Sequence, residues 1–160
     1  MMHYLMINEY IMSALKIVSK ILNEKKIPWM LIGSCNLAIQ GMDLNPRDID
    51  ICVDKVNFNE IKRLFSNFGD IKIEEFPSSF GGTAFKLYFY IEKIEIEFLG
   101  EVTQSIYSKV LKDKGFIKQE FCGNIFNLNK LENEYQACFN MKRFEKASKI
   151  KTYLENLMSL

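Results

Sequence analysis

The sequence predicts an α/β fold of the α+β kind, with one mixed β-sheet flanked by helices rather than a doubly wound parallel sheet. Three observations predict it. Apolar residues recur at three-and-four spacing near the N-terminus, the period switches to two after residue 70, and helical spacing returns after residue 130.

Each element has its own signal. In residues 5–25, Ile7, Tyr10, Ile11, Ala14, Leu15, Val18, Ile21 and Leu22 form one stripe of an amphipathic helix. Pro28 opens WMLIG, a short apolar run that reads as a buried strand ending at Gly33-Ser34. Ser34 suits a helix N-cap, and CNLAIQ after it reads as a short helix closed by Gly41. The loop MDLNPR leads to DIDICVD, where alternation sets Asp48, Asp50 and Cys52 on one face and Ile49, Ile51 and Val53 on the other. Residues 57–68 read as a helix capped by Asn57, with Phe58, Ile61, Leu64, Phe65 and Phe68 inward. IKIEEF, AFKLYFYIE and KIEIEFLG are strands. They are joined by PSSFGGT, whose glycines suit positive φ, and by a tight turn at Glu92-Lys93. A short helix over 103–112, a hairpin of GFIKQEF and GNIFNLN around Gly123, and a long C-terminal helix over 130–158 complete the order. With 160 residues and no linker or repeat, one domain over 1–160 is expected, its core at about 5–101 and the hairpin and helix at about 102–160.

Composition narrows the function. Apolar residues make up 48% of the chain and Pro only 3 positions, which excludes a disordered or collagen-like protein. Lys+Arg (21) and Asp+Glu (20) nearly cancel, so no global field points to a large nucleic acid or a membrane. The balance conceals a segregation: residues 1–42 carry net +2, residues 43–101 net −5 and residues 102–160 net +4. The N-terminal segment lacks the pattern of a signal peptide, and no run approaches the ~18 apolar residues of a membrane span, so the expected location is cytoplasmic. Cys35, Cys52, Cys122 and Cys138 are scattered without a CxxC and read as buried small hydrophobes. His3 is the only histidine, which disfavours Ser-His-Asp, Cys-His and most zinc hydrolase chemistry. An enzyme built from this chain works with carboxylates, lysines and a borrowed metal ion.

One constellation offers that chemistry. A Gly-Ser pair sits at a strand-to-helix junction, and thirteen residues separate Ser34 from Asp48-Ile49-Asp50 on the next strand. A later strand carries Glu95 and Glu97, two apart and therefore on one face. Aspartates at i and i+2 place oxygen ligands side by side for a hard cation, and a third carboxylate completes a two-metal site for phosphoryl displacement. The glycine lets backbone approach a phosphate. Trp29 and the aromatics of FKLYFYI read as core rather than as a base-stacking platform, and Gly81-Gly82-Thr83 as a strand connection.

The stretch IGSCNLAIQGMDLNPRDIDICVD resembles the signature of the polymerase-beta-like nucleotidyltransferase superfamily: hydrophobic-Gly-Ser, a spacer of this length, then Asp-hydrophobic-Asp-hydrophobic. It is similar above all to small stand-alone prokaryotic members, including relatives of lincosamide nucleotidyltransferases and of abortive-infection toxin nucleotidyltransferases. The strong match covers residues 30–54. The resemblance implies a nucleotidyltransferase-type fold in which Gly33 and Ser34 bind the β/γ-phosphates and Asp48 and Asp50 bind metal. The third carboxylate is Glu97, with Glu95 as the alternative. Both are Glu where the family more often has Asp. In the loop before the aspartates, Leu44 and Pro46 stand where many relatives carry Arg and Thr, leaving Arg47 for phosphate contact. NMKRFEKASK is similar to a basic segment of some relatives, with Arg143 and Lys146 matching its cations; Lys142, Lys146 and Lys149 are expected to form a basic stripe at i, i+4 and i+7.

The implied activity is Mg²⁺- or Mn²⁺-dependent transfer of a nucleoside monophosphate from an NTP such as ATP to a hydroxyl of a small-molecule or protein acceptor, with pyrophosphate released. Two other readings stay open: a nucleotide-binding regulator with weak or no turnover, and an interaction protein of the toxin–antitoxin kind. The short chain leaves little room for a separate acceptor domain, so a homodimer partner or the C-terminal region is expected to supply that pocket.

Overall fold

The computed structural model describes residues 7–101, 105–121 and 123–159. Its helices are α1 (Glu9–Glu24), α2 (Gly33–Ile39), α3 (Phe58–Leu64), α4 (Ile106–Lys112), α5 (Leu131–Asn140) and α6 (Phe144–Met158). Its strands are β1 (Trp29–Ile32), β2 (Asp48–Val53), β3 (Lys72–Pro77), β4 (Thr83–Ile91), β5 (Ile94–Glu101), β6 (Ile117–Phe121) and β7 (Asn124–Leu128). The seven strands form one sheet in the order β3-β4-β5-β2-β1-β7-β6. It is mixed, as expected: β2 runs parallel to β5 and β1 parallel to β7, while the other neighbours are antiparallel.

Both faces of the sheet are covered, and alternation along each strand decides what goes where. Ile49, Ile51, Ile96 and Phe98 point to one face and are fully buried there. The stripe Ile11, Leu15, Val18 and Leu22 of α1 packs on that face together with Phe58, Ile61 and Phe65. Phe65 meets the rings of Phe89 and Phe98 at centroid separations of 5.1 and 5.8 Å. Each such side chain contributes about 1.5–3 kcal/mol by leaving water. On the opposite face Tyr107 and Leu111 of α4 and Ala137 of α5 cover Met30, Ile32 and Cys52. A third cluster joins Leu37 of α2, Leu131 and Cys138 of α5, and Ala147 and Ile150 of α6.

The helices differ from the sequence expectation in three places. Residues 57–68 do not form one helix: α3 ends at Leu64, and 3-10 turns at Lys55–Asn57 and Ser66–Phe68 flank it. Residues 130–158 divide into α5 and α6, because Lys142 adopts φ +62 and turns the chain between them. The fold therefore keeps a C-terminal helix, Phe144–Met158, but it begins later than the periodicity predicts. Ser34 lies inside the first turn of α2, whose N-cap is Ile32 without a side-chain cap. Cys35, Cys52 and Cys138 are buried free thiols, as the spacing predicts, and Trp29 is fully buried. His3, Cys122 and residues 103–104 of the expected short helix lie outside the described residues.

Candidate active site

β2 occupies a central position in the sheet, between β5 and β1. Its register pairs Asp48 with Glu95 and Asp50 with Glu97. Parallel partners in register share a face, so all four carboxylates stand on one side of the sheet. The register is held from the other side: a one-residue slip would drive these carboxylates into the core occupied by Ile49, Ile51, Ile96 and Phe98.

Within the four, the structure separates roles. The carboxyls of Asp50 and Glu97 face each other closely enough to interact directly, which favours a proton on Asp50. Burial, first of all, and then the negative charges of Glu97 and Asp48 push the Asp50 carboxyl far above the usual carboxylate range. Burial also raises Glu97, against the pull of nearby Lys86. Glu95 is engaged elsewhere: the Tyr90 hydroxyl donates to its Oε2 at 3.1 Å. Leu87 and Phe89 are core, whereas Tyr88 and Tyr90 share the carboxylate face through their pairing with Glu97 and Glu95.

Gly33 abuts this cluster. Its φ is +74, and a Cβ there would stand 2.9 Å from Oδ2 of Asp50. Both facts call for glycine. Ser34, the next residue, faces the C-terminal helix, where Lys146 Nζ donates to its Oγ at 3.3 Å. Lys146 also pulls down the pKa values of Asp50 and Glu134, so its charge reaches the carboxylate cluster. A cavity of about 650 Å³ opens here, lined by Ser34, Leu44, Lys142, Arg143, Phe144, Lys146 and Lys149 among others. The fold thus brings the Gly-Ser turn, both aspartates, Glu97 and the basic tail together. Lys142 sits in the α5–α6 turn rather than on the helical stripe, and Lys149 pairs with Glu145 at 3.7 Å. Arg47 is exposed, one residue ahead of β2.

Sequence reasoning missed Glu134. It is fully buried, its Oε2 accepts from the Gly33 N–H at 3.2 Å, and its Oε1 accepts from Asn129 Nδ2 at 2.7 Å. The Asn129 carbonyl in turn accepts from Asn36 Nδ2 at 2.9 Å and from Gln40 Nε2 at 2.7 Å, tying α2 to the end of β7. Burial lifts the Glu134 carboxyl to about 7 against these donors. Glu134 falls on the apolar stripe Leu131–Glu134–Ala137–Cys138 of α5, and a lone acid on a buried helical stripe is the signal that would have found it.

The donor set suits a hard divalent cation: Asp48, Asp50 and Glu97 place carboxylate oxygens side by side on one sheet face. Among the described residues no three acidic, thiol or imidazole groups already converge on one point.

No family model matches the chain, and no curated protein does. A solved structure does: a provisionally assigned nucleotidyltransferase from Thermotoga maritima is 25% identical, with a TM-score of 0.66 over 91% of this chain and 92% of that one. The fold is nucleotidyltransferase-like. The likeness spans nine-tenths of both chains. Among the described residues no helix is long and apolar enough to cross a membrane.

Proposed function

We propose that this chain transfers a nucleoside monophosphate from an NTP to a hydroxyl acceptor, with Mg²⁺ or Mn²⁺ as cofactor. The observation that carries the reading is the placement of Asp48, Asp50 and Glu97 on one sheet face beside a Gly-Ser turn that a lysine of the C-terminal helix touches. Likeness to a provisionally assigned nucleotidyltransferase supports it.

Asp48, Asp50 and Glu97 are the residues that would hold the metal, with Glu95 fixed by Tyr90 at the margin. When bound, the cation supplies positive charge against the attacking and leaving oxygens. The chain's own groups do the rest. Ser34, Lys146 and Arg143 hold the triphosphate, with Lys142 and Arg47 adding positive charge at the rim. Gly33 contributes by having no side chain, because its N–H is already given to Glu134. The acceptor oxygen bonds to the α-phosphorus, the bridging bond from α- to β-phosphate breaks, and pyrophosphate leaves. The acceptor proton passes to a carboxylate of the set, and Glu97 is the residue we assign to take it.

A second reading, nucleotide binding without turnover, is favoured by one observation: Glu97 stands where the family more often has Asp. Pyrophosphate release in the presence of Mg²⁺, an NTP and a panel of small-molecule and protein acceptors separates the two. Release that is abolished by Asp48→Asn supports transfer; nucleotide binding with no release supports the regulator.

A further inference from the structure

We propose that the cleft formed by the C-terminal ends of α1 and α4 and the start of β6 is a second anion site, built for a ligand that joins several phosphates to a flat ring, that is, for nucleotide chemistry. It stands apart from the carboxylates. Val53, Asp54 and Glu101 line it at the far ends of β2 and β5, whereas Asp48 opens β2. The inference goes beyond the transfer reaction and does not depend on it.

Its volume is about 990 Å³, within the range of small-molecule sites. Lys26, Lys109, Lys112, Lys114 and Lys118 line it. They come from the turn after α1, from α4, from the turn after α4 and from β6, so the fold and not a basic run gathers them. All five are exposed, and among the described residues none has a carboxylate within ion-pairing distance. The two acids of the lining are committed to other groups. Asp54 Oδ1 accepts from the Val56 N–H at 3.0 Å, and Glu101 Oε2 accepts from the Ser78 hydroxyl at 3.2 Å.

Such a gathering opposes folding. Lys109 and Lys112 are a like-charge pair at i and i+3, and Lys26 and Lys114 hold φ of +56 and +55, where glycine is the easier residue. A bound polyanion relieves the repulsion. The cations come from separate segments of the chain, which suits phosphates that are spaced apart rather than one compact ion. The exposed Pro28 and the half-buried Phe116 supply apolar surface in the same lining for a ring, whereas Ile27, Leu111 and Asn127 are buried. This is the combination that tracks a nucleotide or a short single strand: lysines for phosphate, a flat apolar seat for the base.

Two sources fit this chemistry, a free nucleotide and a strand of nucleic acid, and fluorescence anisotropy with labelled ADP and labelled oligouridine distinguishes them. Both probes are titrated with EDTA present, so that nothing measured depends on a metal. At least one probe is expected to bind wild type and Asp50→Asn equally, and to bind Lys109→Glu/Lys112→Glu at least ~10-fold more weakly, with a shallower dependence on salt. ADP alone identifies a free nucleotide as the ligand, and oligouridine alone a strand. Lys26→Ala/Lys118→Ala, which leaves α4 untouched, carries the same expectation should the charge reversal melt that helix. Binding by neither probe, or affinity unchanged in the folded lysine variants, overturns the proposal. That failure leaves the carboxylate site standing, since the metal it is proposed to need is absent from the assay.

Discussion

Asp50→Asn is expected to stabilise the protein above neutral pH while it destroys the site. The wild-type Asp50 carboxyl is raised by burial and by Glu97 and Asp48, from an ordinary value of 3.8 to about 8. A raised carboxyl contributes stability that is fully present below pH ~4 and is lost as the pH climbs through ~8, because the unfolded chain ionises first. At about 1.4 kcal/mol per pH unit of that window, the ceiling is roughly 6 kcal/mol. Because Asp50 and Glu97 titrate together and the group is only part-buried, about 2–3 kcal/mol is expected at pH 8.5. The asparagine amide stays neutral, donates to Glu97 where the Asp50 proton was, and escapes that loss. For a chain of this size the gain corresponds to a rise in Tm of about 5–10 °C at pH 8.5, and to no difference near pH 4. Thermal melts followed by circular dichroism across pH 4–9 measure it. A variant less stable than wild type at pH 8.5, or a difference that does not grow with pH, would refute the claim that Asp50 and Glu97 are a compressed like-charge pair.

Three further outcomes follow from the Gly33 neighbourhood. Gly33→Ala is expected to cost about 1–3 kcal/mol in urea denaturation, from the φ of +74 and the 2.9 Å approach to Asp50, and part of that cost should vanish in an Asp50→Ala background. Glu134→Gln is expected to flatten the stability profile between pH ~5 and ~8, since Glu134 ionises at about 7 and the wild type loses stability as the pH rises through that value. Glu134→Leu instead strands the Gly33 N–H and Asn129, and should cost about 2–4 kcal/mol at every pH in the same assay.

Much of this was legible in the chain, and the boundary has physical causes. Alternation is local, so DIDICV and IEIEFLGE declare both their strands and their faces. The pairing of Asp48 with Glu95 and Asp50 with Glu97 depends on register, which the sequence does not print, and so does the hydrogen bond that Glu95 accepts from Tyr90, a residue on a third strand. The break at Lys142 was hidden because the apolar spacing continues through it; a single lysine at φ +62 redirects the helix while the stripe persists in sequence. Ser34 carries the residue type of an N-cap but not its position, and its hydroxyl is used across the fold by Lys146 instead. Glu134 escaped for a similar reason: its partners, Gly33 and Asn129, lie in other segments and meet it only when β7 enters the sheet beside β1.

The claim that the carboxylate face is a metal–nucleotide site is tested most directly by the magnesium-dependent part of the thermal shift given by a panel of NTPs. With ligand near 100 times its Kd, binding adds about 2.7 kcal/mol, a rise of roughly 5–10 °C for a chain of this size. The account predicts that rise for wild type with an NTP and Mg²⁺ together, and its loss in EDTA and in Asp48→Asn. A shift equal with and without Mg²⁺, one retained in Asp48→Asn, or none with any NTP contradicts it.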